Sequence, residues 1–239
     1  MKICGNLWLE IQPGNMMNEY VNTIDNDIAA KHLLKHPFYI AWTRGELSRE
    51  ALADYARQYY HHVAAFPTYL SSVHAHCEDQ STRKQLLNNL IDEEAASPNH
   101  PELWLKFAEA FGVSKSDASK SEKWSETKNL IDTFRSICGQ QSTPEGLAAL
   151  YAYESQIPAI CESKIDGLKK YYGFTDPKHY EYFSVHIEAD REHSASEQQM
   201  LSRYVNKQNF ESVKTSVHRV LDALWGILSG VCRRHAIAC

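Results

Sequence analysis

The sequence predicts an all-α fold, a single compact helical bundle of about eight helices. Only 10 glycines and 8 prolines punctuate the 239 residues, and apolar residues recur three and four apart rather than in alternation. Start and stop signals then divide the chain. A first helix covers about residues 17–34 and stops before HPFY, where Pro37 breaks the register. In GELSRE, Ser48 is placed to cap a long helix over about 49–78 that Pro67 kinks. Further helices are expected at about 81–95, 100–111, 121–138, 144–172, 177–206 and 210–231. Ser142, Thr143 and Pro144 set a cap ahead of a proline at a helix start, and Gly112 and Gly173 follow helices where a terminal glycine belongs. FGVSKSDASKSEK reads as a polar loop within one domain.

The organisation follows as a loose leader at 1–16, one helical domain at 17–232 and a short C-terminal tail at 233–239, expected to fray. With 25 basic and 30 acidic residues the net charge is −5, which argues against a nucleic-acid surface. No apolar run approaches the roughly 18 residues needed to cross a membrane. Six cysteines, Cys4, Cys77, Cys138, Cys161, Cys232 and Cys239, are scattered without a CxxC pair. That distribution points to reduced thiols and a cytoplasmic setting.

Against this helical background, acids and histidines on inward faces become informative. HIEADREH places His186, Asp190 and His193 at i, i+4 and i+7, one narrow stripe of a helix. Such a stripe is a metal-ligand pattern if it faces inward and an ordinary solvated face if it does not. Glu154 sits inside the apolar and aromatic run LAALYAYESQIP, where a carboxylate is rarely buried without a partner. In NLIDEEAASPNHPELW, Glu93 and His100 are seven apart, although Pro98 and Pro101 interrupt the helix between them. Together these are three carboxylates and three imidazoles without a thiolate, a set that suits iron or manganese better than structural zinc. Six ligands on the helices of a bundle suit two metals better than one. The Glu-x-x-His pair of ferritin-like proteins is absent from these positions.

The same residues carry a resemblance. The runs HPFYIAWTRGELSREALADYARQYYHHVAAFPTYLSSVHAHCED, LLNNLIDEEAASPNH, LAALYAYESQIPAICESKI and YYGFTDPKHYEYFSVHIEADREH occur in order. Over about residues 25–230 the chain resembles the CADD-like family, non-standard para-aminobenzoate synthases related to TenA and PqqC. The resemblance implies a haem-oxygenase-like (TenA/PqqC-type) bundle of seven or eight helices, dimeric, holding two metal ions, Fe/Fe or Mn/Fe. Its ligands fall on Glu93, His100, Glu154, His186, Asp190 and His193. It implies an O2-dependent reaction that draws the product's ring from Tyr39 of HPFYIAW and its amine from Lys164 of ESQIPAICESK. An external electron donor is compatible with such a reaction, for use in folate biosynthesis.

Read without the resemblance, Tyr39 is a packing aromatic and Lys164 a surface lysine. On a continuous helix over 144–172, Lys164 would lie about 80° around from Glu154, bordering the ligands without joining them. Tyr182, Trp104 and Tyr153 are spaced to neighbour the ligands, either to pack there or to relay an electron. His61, beside His62, departs from the aliphatic residue of the family. The alternatives are a metal-independent cofactor-metabolism enzyme of the TenA or PqqC kind and an interaction protein for death domains. No motif supports the second, and no nucleic-acid or membrane partner is expected.

Overall fold

A computed structural model describes residues 13–238, with side chains from Glu19 to Ala238. Residues 1–12 of the expected leader, with Cys4, lie outside the described residues, as does Cys239. Among the described residues all regular structure is helical: α1 (Pro13–Ala30), α2 (Pro37–Arg44), α3 (Arg49–His76), α4 (Gln80–Glu94), α5 (His100–Glu109), α6 (Lys115–Lys120), α7 (Ser125–Gln140), α8 (Thr143–Glu154), α9 (Ile157–Tyr171), α10 (Glu181–Tyr204) and α11 (Phe210–Arg234). Short 3-10 turns stand at Leu33–Lys35 and Pro177–His179. None of the described helices is long and apolar enough to cross a membrane.

The class is as expected, but eleven α-helices replace the seven or eight. Each extra one has a local cause. HPFY starts a helix instead of only ending one: His36 Nδ1 accepts the Phe38 amide at 3.0 Å, and Pro37 takes the first helical position, where its missing N–H costs nothing. The stretch read as a loop contains α6, capped by Ser114 accepting from the Asp117 amide at 3.0 Å and anchored by the fully buried Ala118. The expected helix over 144–172 is broken at Ser155–Gln156 into α8 and α9. Pro158 can offer no N–H to the Glu154 carbonyl four residues earlier. Gln156, fully buried at the break, donates to the Ala152 carbonyl (2.6 Å) and accepts the Leu33 amide (2.8 Å).

Caps written into the sequence set the other boundaries. Ser48 accepts the Ala51 amide at 3.1 Å and starts α3, which runs through Pro67 without ending. Asn99 and Glu102 form a reciprocal box at the start of α5, and Ser142 and Glu145 another at α8. Gly112 and Gly173 both take positive φ just past helix ends. The end of α11 is tied down rather than frayed. Arg233 and Arg234 pair with Glu126, the Arg234 guanidinium lies 3.9 Å from the Trp124 ring centre, and His235 meets Asp54 at 2.9 Å.

The bundle is organised around α8, in which every residue from Gly146 to Glu154 is buried. A helix apolar on all sides belongs at the centre. It packs against α3, α7, α9, α10 and α11, while α10 also crosses α4, α5 and α9. That arrangement brings α4, α5, α8 and α10 together around one interior point. Nearby, α2 and α9 pack so closely that a Cβ on Gly167 would lie 2.5 Å from the Trp42 indole. Trp42 is fully buried and its Nε1 donates to the Lys164 carbonyl at 3.3 Å. Gly167→Ala is therefore expected to cost about 1–3 kcal/mol through overpacking. Chemical denaturation checks this, and unchanged stability would show that α2 and α9 are not in this contact.

Candidate metal centre

The six residues singled out by spacing converge as two groups. Glu93 at the end of α4, His100 at the start of α5 and His186 on α10 form one triad; Glu154 at the end of α8 joins Asp190 and His193 of α10 in the other. Within each triad one donor atom per residue lies within 4.8 Å of the others. Five of the six residues are buried, and the His193 side chain is 10% exposed. The His100 and His186 ring centres stand 4.1 Å apart within the first triad, and the two triads are neighbours because His186 and Asp190 are one turn apart on α10.

The histidines present ring nitrogens with no protein hydrogen bond. His186 Nδ1–H donates to the Tyr182 carbonyl at 2.6 Å, which leaves Nε2 as its lone-pair nitrogen. His193 is held through Nε2 by Asp92 at 3.0 Å. Its Nδ1 is buried and stands 3.6 Å from Asp190 and 3.8 Å from Glu154, beyond hydrogen-bond reach. His100 Nδ1 lies 3.0 Å from a Glu93 oxygen, yet it is misaligned for a hydrogen bond and has no partner. Orphaned nitrogens facing carboxylate oxygens at such separations are what a shared cation requires. The donor set fits iron or manganese, one triad with two imidazoles and one carboxylate, the other with one imidazole and two carboxylates.

The electrostatics express the same convergence. Burial, with Glu154 and Glu93 close by, pushes the Asp190 carboxyl up to about 7 despite His193. Burial also raises Glu154, although Asn89 donates to both its oxygens at 3.0 and 3.2 Å. His193 is lowered by burial but lifted further by Asp190, Glu154 and Asp92, to about 9. His186 is held well below its ordinary value by burial and by His100. None of these three carboxylates pairs with lysine or arginine among the described residues.

Sequence reasoning missed three residues here. Asn89 and Asp92 lie on α4 just before Glu93, and Glu197 lies on α10 one turn after His193. The stripe itself was the available signal for Glu197, since 186, 190, 193 and 197 continue one face. A cavity of about 10 Å³, room for about one water-sized molecule, lies among Glu93, Glu154, His186, Asp190, Tyr153 and Tyr182. Outside it, a surface pocket of about 290 Å³ reaches Asn89, Asp92, His193 and Glu197.

Tyr39 and Lys164 do not line that cavity. They lie together in an adjoining aromatic chamber, both fully or nearly fully buried. Lys164 Nζ donates to the Tyr55 hydroxyl at 2.7 Å, and the Tyr39 and Tyr55 hydroxyls are 3.4 Å apart. Rings of Phe183, Tyr55, Trp104, Tyr59 and Tyr39 surround the amine at 4.8–5.6 Å. Burial holds Lys164 down to about 7, and burial raises Tyr39 well above the usual phenol range. Because the helix breaks at Gln156, Lys164 is placed by the packing of α9 on α2 and not by its phase from Glu154. The two sites are linked: Tyr59 donates to the Tyr153 hydroxyl at 3.2 Å, and the Tyr55 and Tyr59 ring centres are 5.2 Å apart. The Tyr182 and His186 ring centres are 4.0 Å apart with the rings tilted by 34°, and Trp104 lies 4.9 Å from Tyr182. His61 takes no part; its Nε2 meets Ser121 at 2.8 Å.

Comparison with known proteins gives the family and the fold. The profile of the iron-containing redox enzyme family, haem-oxygenase-like, matches residues 53–225. The chain is 43% identical to a 4-aminobenzoate synthase of Chlamydia pneumoniae over 89% of its own length and 95% of that protein's. It is 45% identical to a 4-aminobenzoate synthase of Nitrosomonas europaea, covering 90% and 91%. The fold is similar to a TenA homologue of Pseudomonas syringae, with a TM-score of 0.76, 15% identity and coverage of 98% and 99%. The chain belongs to the haem-oxygenase-like iron-containing redox enzymes, within the CADD-like family of 4-aminobenzoate synthases.

Proposed function

We propose that the protein is a dinuclear-metal, O2-dependent oxidoreductase that makes para-aminobenzoate (4-aminobenzoate) from its own Tyr39 and Lys164. The observation that carries the reading is the meeting of Tyr39 and Lys164 at one hydroxyl, that of Tyr55, one tyrosine pair away from the buried triads. The triads are its two metal positions, Fe/Fe or Mn/Fe, with Glu93, His100 and His186 on one and Glu154, Asp190 and His193 on the other. Bound there, the ions supply the oxidising power of O2. The water-sized cavity among the triads suits a molecule as small as O2, and the six ligand-type residues around it are more than a metal-independent pocket for a thiamin fragment or a quinone needs.

Para-aminobenzoate keeps the ring of tyrosine but carries nitrogen where the phenol carries oxygen, and a carboxylate in place of Cβ. Tyrosine must therefore lose its phenolic oxygen, gain an amine and be cleaved between Cα and Cβ. The phenolic oxygen would leave as water and the Lys164 Cε would remain as an aldehyde, with O2 accepting the electrons released; an external donor would supply the electrons by which the O2 consumed exceeds them. The chain's own groups divide the work. Asp92 and the Tyr182 carbonyl orient His193 and His186. Tyr153, Tyr59 and Tyr55 form a file of phenols along which an electron can leave Tyr39. Aromatic walls exclude water from the Lys164 amine, which favours its neutral, nucleophilic form. A homodimer remains the expected assembly.

Three outcomes test this. Anaerobic Fe(II) titration is expected to give two bound ions for the parent, and His193→Ala is expected to lose most of the affinity at one. Loading should raise the parent's melting temperature, by the equivalent of about 2.7 kcal/mol for each ion present at 100 times its dissociation constant, and raise the variant's by less. Two ions held as tightly by His193→Ala as by the parent would remove that residue from the centre.

Each chain is expected to yield at most one product molecule and to emerge changed in mass at Tyr39 and Lys164. Tyr39→Phe should keep both metals and make no product. Repeated turnover with Tyr39 intact in the mass spectrum would end the self-consuming mechanism and leave the metal centre standing.

Because Lys164 titrates near 7 and acts when neutral, single-turnover product formation should rise from pH 6 to 8 and level off above. A rate flat through that window would remove the free amine from the rate-limiting chemistry.

A further inference from the structure

Glu197 is the one acid of the α10 stripe that neither the spacing argument nor the family resemblance assigns to the metals. It lies four residues after His193 and seven after Asp190, so it continues their face toward the C-terminal end of α10. It is 1% exposed, and neither of its oxygens has a hydrogen-bond donor among the described residues. Its polar neighbour is the Glu154 carboxylate, which Asn89 already serves from the other side. A buried carboxylate without a donor, pressed against a second one, is a costly arrangement unless a cation lies between or beside them.

The surrounding pocket bears on what that cation is. The opening of about 290 Å³ is lined by Asn88, Asn89, Asp92, His193, Ser196 and Glu197, a polar and acidic surface that leads from solvent to the second triad. No lysine or arginine lines it. Asp92, His193 and Glu197 line this opening, and Glu154 does not.

Resting on the dinuclear reading above, we propose that Glu197 is a further metal ligand, shared with Glu154 at the Glu154–Asp190–His193 position. That position then carries three carboxylates and one imidazole, against one carboxylate and two imidazoles at its neighbour. The two halves of the centre are chemically unequal, the carboxylate-rich half being the harder site.

The test is Mn(II) binding, followed by the electron paramagnetic resonance signal of unbound ion, in the parent, Glu197→Gln and Glu197→Ala. Apo melting curves verify that both variants fold; removal of an unpaired buried acid is expected to raise them. The parent should bind two ions. Glu197→Ala should hold one as before and weaken the other beyond the about 10- to 100-fold typical of residues that only orient a ligand. Glu197→Gln should weaken the same ion, because a neutral amide is a poor substitute for a carboxylate. Parent-like affinity in Glu197→Gln overturns the inference, since a glutamine N–H fills the role of an acid that merely hydrogen-bonds Glu154. A parent that binds no Mn(II) and no Fe(II) would instead overturn the metal centre itself.

Discussion

Four buried carboxylates, Glu93, Glu154, Asp190 and Glu197, share the interior of one helical bundle, and none of them pairs with lysine or arginine among the described residues. Everything else in the structure accommodates that constraint. Burial, and the acids' closeness to one another, raise Asp190, Glu154 and Glu197. His193 is raised as well, as an imidazole among acids must be. Two divalent cations would remove the repulsion and release bound protons, so metal binding and stability are coupled through the same groups. The three helices that carry the acids cannot settle this alone, because packing of α8 against α10 forces Glu154 toward Asp190 whatever their charge.

The interior is divided into two chambers of opposite character. Around the triads, polar groups hold three of the six candidate ligands: Asp92 behind His193, the Tyr182 carbonyl behind His186, Asn89 behind Glu154. Around Lys164, by contrast, the amine's hydrogen-bond partner is the Tyr55 phenol and its surroundings are aromatic faces. A lysine in such a place lowers stability and is made available as a neutral amine, a trade expected at a reactive group and not at a structural one. The phenols of Tyr153, Tyr59 and Tyr55 lie between the two chambers, and under the proposed mechanism they are the route for an electron.

Much of this was legible in the sequence, for identifiable reasons. The α10 stripe is read directly from helical period, and Glu154 stands out because a lone acid in an apolar run needs a partner. Helix starts at Ser48 and Ser142 follow from capping chemistry. Glu197 escaped notice because SEQQML is polar in composition, and a glutamate there looks solvated unless the stripe is followed another turn. Asn89 and Asp92 lie on α4, which shows little contrast between its faces and so gives no phase. The nearness of Tyr39 to Lys164 was out of reach of any spacing rule. It depends on the break at Gln156, which redirects α9 onto α2, and on Gly167 letting Trp42 approach. The family resemblance named both residues; only packing shows how they meet.

The claim on which the rest depends is that the two triads are two metal positions. Anomalous diffraction from crystals loaded anaerobically with Fe(II) tests it directly, because it locates the ions without reference to activity. Two peaks are expected, one bounded by Glu93, His100 and His186 and the other by Glu154, Asp190 and His193. A single peak, or ions bound only at the surface, would contradict it.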